Sequence, residues 1–502
     1  MKFSLSWLKD HLDTDASAET IAERLTAIGL EVEEVSNPAE ALAPFKVAKV
    51  LTAAKHPQAD KLQVLTVDAG DGPVQVVCGA SNARAGMLGV FGAPGTYVPG
   101  SDITLKVAAI RGVESHGMMC SIRELQLGDE HEGIIELAED APVGAAFAEY
   151  VQLNDPVFDV AITPDRSDCM GVRGIARDLA AAGIGTLKPL HVPEITGSFA
   201  SPIDIRIEDP EGCPAFYGRA VRGLSNTSSP DWMQRRLKSA GQRPISAIVD
   251  ITNYVMLDLG RPSHAYDIAK LDKALVARRA RDGEKVLALN EKEYSLDNSM
   301  TVIADESRVH DIGGIMGGED SGVTGSTTDV MLEVAYFDPA RIARTGQTLA
   351  LTSDARSRFE RGVDPAFLDD GLAMLTQLIV DICGGEASEP LLIGTPPVEK
   401  RCIAFDPTRT LDLGAVEVPE DRQRAILLSL GFEFEGTSSV LVPSWRPDVE
   451  GPADLVEEIV RITGYGEIPS TPLDRQPGVA KPTATRSQMV ERRVRRAAAA
   501  RG

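Results

Sequence analysis

The chain lacks any run of about 18 uncharged apolar residues, and Lys2, Lys9 and Asp10 interrupt the short apolar pattern of residues 1–12, which has no small-residue cleavage site. A membrane-spanning helix and a secretory leader are both excluded on this reading, and a cytoplasmic location is expected. Cysteine is scarce: Cys78, Cys120, Cys169, Cys213, Cys383 and Cys402 stand singly, without a CxxC pair or a ligand-like spacing to histidine. Neither a disulfide framework nor a zinc site follows, and all six are expected to be reduced, buried small hydrophobes. Also missing are the G-x-x-x-x-G-K-[ST] phosphate loop, the G-x-G-x-x-G fingerprint, H-E-x-x-H and the G-x-S-x-G elbow, so nothing announces an ATP site in this chain. Lys and Arg are absent from residues 126–159, which hold nine acids. The net charge of −23 opposes general phosphate binding, yet residues 45–125 hold eight Lys and Arg against six Asp and Glu, so a locally basic surface is compatible with an acidic chain.

What is present reads as several folded units. A chain of 502 residues, 43% hydrophobic and 25% charged, exceeds what one core usually organises. Ile21, Leu25 and Ile28 at i, i+4, i+7 predict a helix over 17–28 that ends at Gly29. Past Asn37-Pro38 the pattern becomes β-rich: runs at 45–51, 61–67, 74–78 and 103–110, separated by Gly, Pro, Asp and Asn clusters, predict a small antiparallel barrel. A helix over 173–183 returns the chain to its first segment, giving one domain interrupted by the barrel. Linkers are expected at 188–202 and 395–400. Between them lies a mixed α/β region with helices at 231–240 and 365–383; a compact unit follows with helices at 422–430 and 453–463 and a strand at 440–442. A basic helix over 487–501 closes the sequence.

Three constellations suit chemistry. The K-H-P-Q-A-D-K-L stretch of residues 55–62 and I-R-G-V-E-S-H-G-M-M-C-S at 110–121 put Lys55, His56, Lys61 and Arg111 on the rim of the predicted barrel, where lysines position phosphates; the plainer alternative is a solvated loop with a structural histidine. Between 261 and 365, R-P-S-H-A-Y-D, H-D-I-G-G-I-M-G-G, L-E-V-A-Y-F-D-P and T-S-D-A-R-S-R-F-E-R-G-V-D-P are dense in residues that suit a ligand site. Glycines admit close backbone approach, and a glutamate among apolar neighbours can accept a hydrogen bond from a buried hydroxyl. Taken singly, His264 reads as a structural histidine and the glycines as a turn. Finally, Asp454, Glu457 and Glu458 stand at i, i+3, i+4, with Asp448 ahead of Pro452; four carboxylates able to converge suit Mg²⁺, whereas acids near a helix N-terminus also favour the macrodipole without a metal.

The first constellation resembles the tRNA-binding barrel of phenylalanyl-tRNA synthetase β chains, methionyl-tRNA synthetases and free tRNA-binding proteins. The four stretches of the second, in this order, closely resemble the editing domain of bacterial phenylalanyl-tRNA synthetase β subunits, and the likeness runs from W-L-K at 7–9 to the compact unit after residue 400. The resemblance implies an α+β multidomain fold: an N-terminal α/β domain (1–38 and 150–200) with an OB-like barrel inserted (39–149), an editing domain of B3/B4 type (201–395), a small winged-helix-like domain of B5 type (400–476) and the opening of a catalytic-like domain (485–502). It implies an editing pocket made by His264, Gly317, Glu333, Ser353 and Ala355, which hydrolyses tyrosine wrongly esterified to phenylalanine tRNA. Glu333 would meet the tyrosine hydroxyl, 353–355 would shape the pocket, and His264 would hold the ester end and its attacking water. Ser353 stands where relatives often carry threonine, which keeps the hydroxyl and loses a methyl contact. The resemblance further implies Mg²⁺ on Asp448, Asp454, Glu457 and Glu458, an α-subunit partner in an α₂β₂ assembly, and ATP bound mainly by that partner. A free-standing hydrolase of mischarged tRNA and a non-catalytic tRNA-binding protein are the competing readings; the second predicts that core side chains fill the space around Glu333.

Overall fold

The structure, a computed structural model, describes residues 1–128, 132–470, 472 and 483–502. Residues 129–131, 471 and 473–476, which fall within the expected 39–149 and 400–476 units, lie outside the described residues.

The N-terminal unit is a three-stranded antiparallel sheet with Val157–Val160 in the middle, paired to Lys2–Ser4 on one side and to Val32–Ser36 on the other. Helices Leu5–His11, Ala18–Ala27 and Val172–Ala181 pack on it through Trp7, Leu8, Ile21, Leu25, Ile175 and Leu179. Ser17 caps the second helix by accepting from the Thr20 N–H, and Gly29, at φ 92°, follows its end.

The segment between these strands forms a five-stranded antiparallel sheet, in the order Met118–Met119, Leu88–Gly92, Lys46–His56, Ala59–Asp68, Pro73–Cys78. Its two edges are bridged, because the His116 N–H donates to the Gln75 carbonyl at 2.8 Å and the Val77 N–H to Ser115 Oγ at 3.0 Å. The single strand predicted over 103–110 is two short ones, Ile103–Thr104 and Ala108–Ile110, with different partners.

Residues 201–395 form three layers. One sheet runs Asp204–Ile207, Ala274–Arg279, Thr301–Ala304, Val309–Ile312, Met316–Gly317, its first pair parallel and the rest antiparallel. The second has Asp329–Tyr336 between His264–Asp267 and Ala215–Arg222. Strand parity assigns the faces. Val330, Leu332 and Val334 meet the helices Ala247–Leu259 and Leu368–Cys383, while Met331 and Ala335 face the first sheet. Glu333 therefore projects into the space between the sheets.

The following unit joins the sheet Cys402–Ala404, Ser439–Leu441, Glu433–Glu435 to helices Glu420–Ser429 and Pro452–Thr463. Its core takes in Ile28, Ala181 and Ala182 of the N-terminal unit. Helix Arg486–Ala499 is exposed along its length. Five cysteines are buried, but Cys402, on the edge strand, is exposed, against the expectation that all six would be buried.

Candidate functional site

His264 and Glu333 are direct partners across neighbouring strands. Two residues along, on the same face as His264, Tyr266 is fully buried, and its hydroxyl contacts both Asp311 Oδ2 and Glu333 Oε2. Asp311 sits on the facing sheet, accepts the Gly318 N–H on Oδ1 at 3.0 Å, and lies 3.9 Å from His264 Nε2. That imidazole nitrogen is buried and has no hydrogen-bond partner among the described residues. Burial, and then the neighbouring Asp311 charge, push the Glu333 carboxyl up to about 8. Burial followed by the same two acids pushes the Tyr266 phenol well above its ordinary range.

Gly317 is fixed by space rather than by φ: a Cβ there would lie 2.6 Å from His264 Cε1. Ser353 caps helix Asp354–Arg361, accepting from the Arg356 N–H at 3.0 Å while its hydroxyl donates to the Ile315 carbonyl at 2.6 Å. It is thereby tied to the segment leading into Gly317, and Ala355 follows in the first turn, half-buried. His264, Gly317 and Glu333 thus come together directly, and Ser353 joins them through Ile315. Tyr266 and Asp311, which share the cluster, were not singled out from the sequence. The available signal was an acid or phenol within a short apolar strand.

Among the predicted RNA contacts, Lys55, Lys61 and Arg111 are exposed. His56 is buried: its Nδ1 accepts from the Gln58 N–H and its Nε2 donates to the Ile110 carbonyl, both at 3.0 Å. It is the structural histidine of the plainer alternative, and it clamps the end of hairpin 46–68 against hairpin 108–115, whose turn carries Arg111.

The four carboxylates expected on Mg²⁺ do not converge. Glu457 is exposed, whereas the next residue, Glu458, is buried. Arg446 grips Asp448 with two bonds (2.9 and 2.7 Å) and also reaches Glu458, which Arg461 holds with two bonds of 2.6 Å. Asp454 turns back to accept the Glu450 and Gly451 N–H groups, each at 2.8 Å, as an acid in a first helical turn does. Mg²⁺ requires a near-octahedral shell of available oxygens. Asp448, Asp454 and Glu458 are committed to arginines or a helix cap, and Glu457 alone cannot supply that shell, so the set does not fit that ion.

Instead the arginines extend inward. Arg461 donates to Asp178 at 2.8 Å, Asp178 accepts from Arg166 at 2.8 Å, and Arg166 pairs with Asp168, beside which Arg177 stands at 3.7 Å. Four arginines and four acids thus alternate from the compact unit into the N-terminal one. Burial opposes charge on Asp168, but Arg166 and Arg446 prevail and hold it at about 2. Asp168, Cys169 and Asp178 lie close enough to suggest metal ligands, yet Arg166 bonds all three.

Comparison with known proteins finds matches to three stretches of the chain. Residues 45–146 match a putative tRNA binding domain, 212–384 a B3/4 domain and 403–465 a tRNA synthetase B5 domain. A chain built of these three is of the aminoacyl-tRNA synthetase class. Over its whole length it is 65% identical to the phenylalanine–tRNA ligase β subunit of Novosphingobium aromaticivorans, 59% to that of Zymomonas mobilis and 55% to that of Mesorhizobium japonicum. The chain belongs to the phenylalanine–tRNA ligase β-subunit family. It spans 63%, 64% and 63% of the length of those three relatives. Among the described residues, no helix is long and apolar enough to cross a membrane.

Proposed function

We propose that this chain supplies tRNA binding and editing to a cytoplasmic phenylalanine–tRNA ligase, with the ATP- and Mg²⁺-dependent joining of phenylalanine to its tRNA carried out by an α partner in an α₂β₂ assembly. The inserted sheet serves as an OB-like barrel that places Lys55, Lys61 and Arg111 against tRNA phosphates, and the unit after residue 400 serves as a winged-helix-like support. Between the two sheets of residues 201–395, the pocket of His264, Gly317, Glu333, Ser353 and Ala355 hydrolyses tyrosyl-tRNA.

The observation that carries this reading is the Glu333 carboxyl. It is 6% exposed, it lies between two sheets, and its Oε1 accepts no hydrogen bond among the described residues. A synthetic site shaped for phenylalanine rejects an added hydroxyl poorly, by roughly 10² in a comparable case. A second site that presents a buried acceptor reverses the preference, because phenylalanine would leave that acceptor unpaired. His264 and backbone N–H groups hold the ester end while water attacks. One observation favours the non-catalytic alternative: the Tyr266 hydroxyl already occupies Glu333 Oε2, as a core side chain would.

The discriminating experiment is Glu333→Ala in the complete α/β enzyme. Loss of a hydrogen bond worth roughly 1.5–3 kcal/mol predicts a 10- to 100-fold fall in tyrosyl-tRNA hydrolysis, with phenylalanine charging unchanged. Normal hydrolysis by a folded variant would remove Glu333 from the role and leave the non-catalytic reading.

A further inference from the structure

Hydrogen-bond counting at Tyr266 leads beyond the pocket's shape. A phenol carries one proton, so it donates once, yet the Tyr266 hydroxyl is in contact with an oxygen of Asp311 and an oxygen of Glu333. Two ionised carboxylates cannot both be satisfied by one donor. One of them must be the acid form, donating its own proton to the phenolic oxygen.

The surroundings decide which. Asp311 Oδ1 accepts the Gly318 N–H, so the aspartate has a backbone donor besides Tyr266, which a charge needs. Glu333 has no partner besides Tyr266 among the described residues, and it is buried with the Asp311 charge as its neighbour. The groups that face it from packed elements are His264 and Tyr266 on one strand and Asp311 on the facing sheet. His310, beyond Tyr266, is committed to Asp305 at 2.7 Å. The Cys213 thiol, raised by its burial, carries no charge, and Gly218, opposite on the third strand, contributes no side chain. None of these places a permanent positive charge on Glu333.

We propose that Glu333 works as a neutral acid, in a directed chain in which Glu333 Oε2–H donates to the Tyr266 hydroxyl and that hydroxyl donates to the Asp311 carboxylate. Asp311 is a positioning residue that holds the proton on Glu333. This rests on the editing reading above and specifies its specificity element: Oε1 of an uncharged carboxyl accepts the hydroxyl of the misattached ring. Neutrality means that an aromatic ring reaching Glu333 meets an uncharged carboxyl, so selection falls on one hydrogen bond. The pocket favours a phenolic ring over a phenyl ring by that contact alone. The upward displacement of the Glu333 carboxyl agrees with this assignment.

The test uses the complete enzyme and tyrosyl-tRNA, comparing Glu333→Gln, Glu333→Ala and Asp311→Asn over pH, corrected for spontaneous ester hydrolysis. Glutamine reproduces the neutral acid, with an N–H toward Tyr266 and a carbonyl toward the substrate. Its hydrolysis is expected to fall far less than that of the alanine variant and to lack the decline expected of wild type as pH rises through about 8. Asp311→Asn removes the charge that holds the proton, so its decline is expected at lower pH. Phenylalanine charging by each preparation reports intact folding and assembly. If glutamine and alanine are equally damaging, or if the Asp311→Asn decline stays at the wild-type pH, the neutral acid is refuted while editing stands. If neither Glu333 substitution affects hydrolysis, the editing assignment itself has failed.

Discussion

Replacing Glu458 by Gln removes the acid that separates Arg446 from Arg461. Both guanidinium groups are almost fully buried, as is Glu458, and each loses its shared counter-charge while its size and position persist. Breaking a buried pair costs about 3–5 kcal/mol where the survivor is left charged and unpaired; Arg446 keeps Asp448 and Arg461 keeps Asp178, so that range is the upper bound here. At about 1.4 kcal/mol per factor of ten, the joint loosens by at least one and at most about three and a half orders of magnitude. A chain of several domains does not unfold in one step, so the informative assay is local. Hydrogen exchange in helices Pro452–Thr463 and Val172–Ala181, the two sides of the joint, is expected to accelerate together. The pH dependence has a definite sign. Burial would raise the Glu458 carboxyl, but Arg461 and Arg446 hold it well below the usual carboxylate range. Its contribution is therefore complete above that range and lost as pH falls through the lowered value; the Gln variant lacks this acid-side loss. Less than a tenfold change in exchange would refute the account. So would a wild-type joint that a chelator loosens as much as the substitution does, since the acids would then be holding a cation.

Gly317→Ala should displace the His264 ring that now occupies the space of the added methyl, and a shift of this kind predicts a fall in tyrosyl-tRNA hydrolysis on the order of 10²-fold without loss of phenylalanine charging. Activity within a factor of two of wild type would show that His264 has room to move. Reversing Lys55, Lys61 or Arg111 to Glu should weaken tRNA binding and reduce its salt dependence by about one counterion per site; an unchanged salt slope would place tRNA elsewhere. His56→Ala, by contrast, should release hairpin 108–115, seen as faster exchange at Ile110, with a smaller effect on the salt slope.

Features set by local rules were legible in the sequence. The helix at Ala18–Ala27, with its following glycine, and the helix Pro452–Thr463 came from periodicity and punctuation. The helix expected from 365 begins at Leu368, because Pro365-Ala366-Phe367 form the turn that leads into it. Helix Ala247–Leu259 went unread, since its short apolar runs, broken by Asp250, Thr252, Asn253 and Asp258, suit a buried helix and a buried strand equally. The carboxylates near 454 show the limit most clearly. Helical spacing places Asp454, Glu457 and Glu458 near one another, but the partner that claims Glu458 alongside Arg446 is Arg461, whose other contact, Asp178, lies 283 residues away in sequence. No local pattern carries that pairing. Tyr266 and Asp311 were hidden for a related reason: each sits in a strand whose parity becomes known only after the two sheets are stacked.

The strands that open and close the inserted segment are adjacent in one sheet, with Ser36 directly opposite Val157 and the Asn37 amide donating to Asn154 at 2.9 Å. The insert therefore leaves and re-enters its host through a gap about as wide as a tight hairpin, close to 5 Å between Cα atoms. Joining the two strands by a two-residue turn would complete a local antiparallel hairpin and spare the host the closure entropy of a long loop. The segment is thus a detachable cassette: its removal leaves the three-stranded sheet with a shorter connection and an unchanged register. Its presence costs the host little, and it is held by two tethers that constrain how far it can swing.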